Sequence, residues 1–265
     1  MLSPRKRLVS QLGLDASKRN TLWNERFRDI PPRVRMNSVQ QKFLTLTPES
    51  LLGPLNDVEE KYAPKEIFAA GRMEIPLPRP RVAIVGSRKA SMTGLTAAED
   101  IAKTLSKKGV VIVSGLAEGI DTAAHTATIE VRGDTIGVVG TSLDRVYPRE
   151  NSKLQDEMMT DHLVLSQFPI GYPTRAENFV MRNRTMALIA NASIIVEAGE
   201  TSGSLHQGWE ALRLGRPLFI WKSILDNPSL SWPKKMIGYG ALELDDPEQV
   251  VDALPSSKRI IKIAV

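Results

Sequence analysis

From residue 81 onward the apolar positions fall into short aliphatic runs separated by stretches with helical spacing. The runs are Val82–Val85, Val110–Val113, Thr135–Val139, Leu163–Leu165, Ser193–Val196 and Pro217–Trp221. Apolar character that continues along a run, rather than alternating, marks strands covered on both faces, as in a parallel sheet with crossover helices. Between the first two runs Leu95, Ala98, Ile101, Ala102 and Leu105 recur at the intervals of one helix face, and Gly109 supplies a stop. The rhythm predicts an α/β fold: an extended Rossmann-like, doubly wound, mainly parallel sheet. On such sheets ligands settle at the carboxyl ends of the strands, so the loops that follow strands are where function is sought.

Before residue 81 the pattern is weaker. Ile75-Pro76-Leu77-Pro78-Arg79-Pro80 carries prolines at alternate positions, which forbids helix and predicts a stiff extended link. Residues 1–75 therefore read as a small N-terminal basic and helical region with its linker, and residues 76–265 as the Rossmann-like domain. Within the first part, Thr47-Pro48-Glu49-Ser50 ahead of Leu51 and Leu52 predicts a short capped helix, and Asp57 to Tyr62 a second fragment. Met1 to Val39 shows little periodicity, and the tail from Lys258 to Val265 predicts an added edge strand.

Composition excludes more than it assigns. A chain of 265 residues buries a core without covalent staples. It has no cysteine and three scattered histidines, so neither a disulfide, a thiolate site nor a metal site is expected. No stretch approaches the roughly 18 apolar residues of a membrane span, and the start lacks a signal-like apolar run. The chain reads as a soluble cytoplasmic protein with no membrane association. Its net charge of +5 permits phosphate attraction, with Arg5, Lys6, Arg7, Arg26, Arg28, Arg33 and Arg35 near the N-terminus. Aromatic residues are too few for an extended stacking platform.

The loops after the strands carry the candidate chemistry. In Gly86-Ser87-Arg88-Lys89, Gly86 lets backbone approach a ligand, the amides at the next helix start suit an anion, and Arg88 can grip a phosphate bidentately. The alternative is a tight turn with a solvated arginine. No dinucleotide fingerprint is present, because the GxGxxG spacing and the ribose-binding acid are missing. Ser114-Gly115-Leu116-Ala117-Glu118-Gly119 offers Ser114 and two glycines, Gly115 and Gly119, with Asp121 or Thr122 placed to cap the following helix. His125 lies one helical turn from Asp121, which suits either a catalytic pair or a packing histidine. Further on, Arg175, Phe179, Arg182, Asn183 and Arg184 gather at a helix start. Arginines there oppose the helix dipole unless an anion docks, and Phe179 can stack on a base; the alternative puts Phe179 in the core and pairs the arginines with Glu177 or Glu197. Ser202, Gly203 and Ser204 form a candidate anion nest after the fifth strand. Four loops converge on an oligoanion.

The ordered motifs VAIVGSRKAS, VVIVSGLAEGID, LDRVYPREN, FVMRNR, IIVEAGETSGSL and LGRPLFI, between Glu66 and Ile220, resemble the DNA-processing protein A (DprA, Smf) family. The resemblance implies an extended Rossmann fold without the family's C-terminal winged-helix domain, single-stranded DNA binding in a basic pocket, dimerisation, and help in loading a RecA-type recombinase during natural transformation. It implies that Gly86, Ser87, Arg88, Ser114, Gly115, Phe179, Arg182, Asn183 and Arg184 lie at or near that pocket. Trp209, Leu212, Leu214 and Trp221 then mark the expected homodimer face. No cofactor or catalytic residue is expected, and binding with little base preference is. Two other readings stand beside this one: a phosphoribohydrolase-like enzyme, with Gly199, Gly203 and Glu210 in its glycine-rich loop and helix, and a nucleotide-sensing module of a defence or mobile-element system.

Overall fold

The computed structural model describes residues 43–254, so the basic N-terminal cluster and the expected strand of the C-terminal tail lie outside the described residues. Each aliphatic run from Val82 onward is a strand. In chain order these are β3 (Arg81–Gly86), β4 (Val111–Ser114), β5 (Thr135–Val139), β6 (Leu163–Ser166), β7 (Ala192–Glu197) and β8 (Leu218–Trp221), preceded by β1 (Leu44–Leu46) and β2 (Ile67–Gly71) and followed by β9 (Leu242–Leu244). The helices between them are α3 (Met92–Lys107), α4 (Ile120–Glu130), α5 (Ser152–Asp161), α6 (Ala176–Ile189) and α7 (Ser204–Arg213). Short helices α1 (Pro48–Leu52) and α2 (Asp57–Tyr62) precede β2, and α8 (Lys222–Leu225), α9 (Trp232–Gly238) and α10 (Glu248–Asp252) complete the chain.

One sheet holds all these strands in the order β1-β2-β6-β5-β4-β3-β7-β8-β9. Pairing is parallel from β6 to β9 and antiparallel where β2 meets β1 and β6. The sheet grows from β3 toward β6 on one side, then returns to the other side of β3 with β7. This reversal opens a crevice between β3 and β7 at their carboxyl ends, the position where doubly wound sheets bind ligands.

The strand alternation that the continuous runs conceal is visible in packing. Val82 and Ile84 join Ala98, Ile101 and Leu105 of α3 and Ala124 of α4 in one buried layer. Ala83 and Val85 face the opposite layer with Met186, Leu188 and Ile189 of α6. Each such aliphatic side chain contributes about 1.5 to 3 kcal/mol when fully buried, and burial on both sheet faces fixes the strand ends that carry the loops. Gly109, with φ of 77°, ends α3 as its position predicts.

The segment before residue 81 differs from the expected helical region. Thr47 does cap α1, accepting a bond from the Ser50 amide at 3.2 Å, and α2 spans the predicted fragment. Yet β1 and β2 extend the sheet beyond β6. The proline-rich stretch lies between two strands of that sheet rather than outside it. Leu77 is buried there and its amide bonds to the Leu51 carbonyl at 2.8 Å. Strands of three to five residues, such as Leu44–Leu46 and Ile67–Gly71, leave too little pattern to detect.

Candidate nucleic-acid interface

The crevice between β3 and β7 is an open cleft of about 540 Å³. The β3–α3 loop contributes Gly86, Ser87, Arg88 and Lys89 to it, α6 contributes Phe179, Arg182 and Asn183, and the β7–α7 loop contributes Ser202, Gly203 and Ser204. These elements are distant in sequence and meet only because the sheet reverses direction at β3. Gly115 lines an adjoining recess with Arg88, Phe179 and Arg182.

Gly86 lines the cleft and Gly115 the adjoining recess, while the side where a side chain would project from Gly86, Gly115 and Gly119 is filled by protein. A Cβ on Gly86 would stand 2.5 Å from the Ile120 side chain, and one on Gly115 would stand 1.6 Å from Nη1 of Arg182. Gly119, at φ 75°, packs its α-carbon against the Ser87 and Arg88 carbonyls, where a Cβ would come within 2.3 Å of oxygen. Gly203 is the open one, with no atom within 4 Å of where its Cβ would point. The anion site expected at the start of α3 is also filled from within the chain. Ser91 caps that helix through the Gly94 amide, and the Glu197 carboxylate accepts from the Ser91 amide at 2.9 Å and from its hydroxyl. The N-cap of α7 is Gly203, which has no side chain to cap the helix; the Ser202 hydroxyl accepts from the Ser204 amide at 3.4 Å and lies 2.7 Å from the Ser204 hydroxyl, and the Leu205 and His206 amides bond to the Ser202 and Gly203 carbonyls, so that the positive end of α7 is met by neutral groups and not by a carboxylate.

The arginines separate into distinct roles. Arg88 is exposed, its guanidinium 5.5 Å from the Phe179 ring centre, and among the described residues it has no carboxylate within ion-pair distance. Arg182 is buried, and its Nη1 donates to the carbonyls of Gly115 at 2.5 Å and Val138 at 2.9 Å. Burial holds its pKa below the usual arginine value, against the opposing pull of Asp121. Arg184 faces the other way, toward Glu59, Tyr62 and Glu210, and is no part of the cleft. Arg175 stands at the α6 N-cap, exposed and 3.8 Å from Glu177, also outside it. The dipole argument thus holds for Arg175 alone, since Arg182 and Arg184 sit two turns into the helix. Asn183 ties α6 to the β7–α7 loop through a 2.9 Å bond to the Gly203 carbonyl.

Ser114 is fully buried and donates to the Ile84 carbonyl at 2.6 Å, which removes it from the surface. Neither Asp121 nor Thr122 caps α4, whose N-cap is Gly119. Asp121 instead accepts from the Gly115 amide at 3.1 Å, burial raising its pKa while Arg182 and these amides lower it. His125 makes no pair with Asp121: its Nδ1 lies 2.7 Å from the Thr135 hydroxyl inside the core. Glu210, the acid a hydrolase reading requires, is bonded to Arg213 at 3.0 Å and does not line the cleft. Residues the sequence reading passed over include Lys89 and Gln207, which line the cleft, and Tyr147, whose ring centre is 5.2 Å from that of Phe179. Among the described residues no helix is long and apolar enough to cross a membrane.

A family profile described as DNA recombination-mediator protein A matches residues 48–255. The chain belongs to the DNA recombination-mediator protein A family. Relatives in that DprA family include the DNA processing protein DprA of Bacillus subtilis, 36% identical over 192 residues, with 72% of this chain and 65% of the relative covered. The Streptococcus pneumoniae protein is 44% identical over 175 residues, covering 65% and 61%. The chain thus spans less than two thirds of the length of these relatives. Among solved DprA structures, that from S. pneumoniae aligns with a TM-score of 0.68 at 36% identity, over 81% of this chain and 75% of the other. DprA from Helicobacter pylori, studied for its single-stranded DNA binding mode, aligns with a TM-score of 0.68 at 26% identity, over 80% and 95%. The Rossmann-like fold of the DprA family is therefore the fold of this chain.

The placement of His125 carries a pH dependence. Burial, with a smaller contribution from His162, holds its pKa down at about 3, whereas an unfolded histidine protonates near ~6.5. Between these values the unfolded chain binds the extra proton, so stability is complete above ~6.5 and declines as pH falls, at up to ~1.4 kcal/mol per pH unit. His162, also lowered, acts in the same direction. Urea unfolding of His125→Gln between pH 7 and 5 is expected to show a shallower decline than the parent. An identical decline would mean that His125 is not held neutral in the fold.

Proposed function

We propose that this chain is a single-stranded-DNA-binding protein acting in DNA uptake or recombination, with the β3–β7 cleft as its DNA site. The observation that carries this reading is the cleft itself, which is lined together by the start of α7 with the Ser202 and Ser204 hydroxyls, by Arg88 and Lys89, and by Phe179. That set serves a backbone phosphate and a base face together. The binding described for the H. pylori relative supports it. Residues Gly86, Gly115 and Gly119 are scaffold, and Arg182 is the cleft's cationic floor. The reading extends to a cytoplasmic protein that aids a RecA-type recombinase in reaching DNA, which the family's description as a recombination mediator supports.

A homodimer completes the reading. Trp209 and Leu212 line a groove of about 430 Å³ with Arg213, Lys235 and Tyr239, and Tyr239 is 69% exposed. Ile237 and Leu242 add exposed apolar surface on the neighbouring elements, more than an isolated face ordinarily leaves in water. Leu214 and Trp221 are partly covered by the core clusters and belong to packing as much as to the face. Light scattering at tens of micromolar is expected to report twice the chain mass, and Trp209→Glu to halve it; a parent that stays monomeric overturns the dimer.

The cleft assignment is tested by two side chains. Because Arg88 is exposed and unpaired with any described carboxylate, Arg88→Ala should leave the melting temperature within a degree or two. It should weaken binding of oligo-dT by about 1.5 to 3 kcal/mol, the range for hydrogen bonds to a charged group, and this loss should shrink as salt rises. Phe179→Ala should cost about 1 to 3 kcal/mol with little salt dependence, as for a lost stacking ring. An Arg88→Ala protein that melts normally and binds as tightly as the parent removes this loop from the site.

A further inference from the structure

Phe179 is a shared wall. It lines the large cleft and also an adjoining narrow recess of about 20 Å³, which Arg88, Glu118, Tyr147 and Arg182 line in part. Tyr147 leans on Phe179 with 51° between the ring planes, and 47% of its surface is exposed, which leaves aromatic surface free for a flat ligand. Gly140 makes this pairing possible, since a Cβ there would come within 2.6 Å of the Phe179 ring.

Glu118 is the anomaly of the recess. It is an exposed carboxylate set among guanidinium groups in a site otherwise suited to anions. Its loop is pinned on both sides: the Ala117 carbonyl accepts the Thr122 hydroxyl at 2.7 Å, and Gly119 packs on the Ser87 and Arg88 carbonyls. The backbone that carries Glu118 is thus fixed beside the recess that it lines. A carboxylate repels a phosphate and accepts hydrogen bonds without donating any. What a single strand can offer it is an amino edge, from cytosine, adenine or guanine, whereas thymine presents one N–H between two carbonyls.

We propose that Tyr147 and Glu118 form a base-reading subsite in the recess that adjoins the large cleft: Tyr147 stacks a nucleobase leaving the cleft, and Glu118 accepts a hydrogen bond from its amino group. The inference rests on the single-stranded-DNA reading above and replaces, at one nucleotide position, the expectation of indifferent binding.

Fluorescence anisotropy with labelled oligo-dC and oligo-dT, on the parent, Glu118→Gln, Tyr147→Ala and Tyr147→Phe, tests it. The parent is expected to bind oligo-dC roughly threefold to tenfold more tightly than oligo-dT. Glu118→Gln should level the two by weakening oligo-dC binding relative to oligo-dT. Tyr147→Ala should weaken both by roughly fivefold to a hundredfold, and Tyr147→Phe should retain parental affinity. Equal parental affinity for the two oligonucleotides, a preference that survives Glu118→Gln, or parental binding by Tyr147→Ala overturns the subsite. If Tyr147→Ala melts early, Glu118→Gln, altered at an exposed position, decides alone. Loss of binding in Arg88→Ala together with neutral Glu118 and Tyr147 variants would remove the subsite while leaving the cleft, whereas a parent that binds neither oligonucleotide removes both.

Discussion

The Arg182 guanidinium sits where β4, β5 and α6 meet, and it has to be answered there by oxygen atoms, because a desolvated cation left unmatched costs several kcal/mol. The carbonyls of Gly115 and Val138 supply the answer directly. Asp121, fully buried nearby, adds a negative charge whose own oxygen is held by the Gly115 amide. Gly115 cannot carry a side chain without displacing the guanidinium. One charged group thus fixes the ends of two strands and the rotation of α6, and α6 carries Phe179 and Asn183 to the cleft. The same constraint explains why Ser114, Gly115 and Asp121, which look like parts of a ligand loop, act as a frame.

Division of labour between frame and surface follows from this. Glu197 occupies the α3 N-terminus, so the β3–α3 loop is held by a carboxylate of the same chain and presents its arginine outward. The α7 N-terminus lines the cleft and is met only by neutral groups, the Ser202 hydroxyl and the Ser202 and Gly203 carbonyls. Potential that attracts anions is therefore concentrated on Arg88, Lys89 and the α7 amides, while the buried cation beneath them contributes field without direct contact. The opposite end of α6 is secured by cations too. Arg81 donates to the Ile189 carbonyl at 2.7 Å, and Arg216 to the Ala187 and Leu188 carbonyls at 2.7 and 2.5 Å while meeting Glu59 at 2.6 Å. Cations at a helix C-terminus complement its dipole.

Much of this was legible in the residues. Every aliphatic run from Val82 onward is a strand, and the loops after the first and fifth of them meet in one cleft, because the strand order sets β3 beside β7. The roles within α6 were also legible in principle. Residues two apart on a helix point roughly 200° apart, so Arg182 and Arg184 could not both face one cleft, while Phe179 and Arg182, three apart, could. What spacing does not reveal is depth. Nothing in Ser114 or Gly86 says that the neighbouring strand or helix will cover it, and nothing in Tyr147, some thirty residues from Phe179, says that a glycine at 140 will let the rings meet. A short strand such as β2 depends on a partner, β6, far along the chain, and local pattern cannot supply that information.

The account turns on whether nucleic acid occupies the crevice where the sheet reverses. A crystal structure of the protein with a short oligo-dT addresses this directly. The account predicts a backbone phosphate held between Arg88 and the amides and hydroxyls of Ser202–Ser204, with a base against Phe179. An oligonucleotide bound across another surface, with this cleft unoccupied, would contradict it.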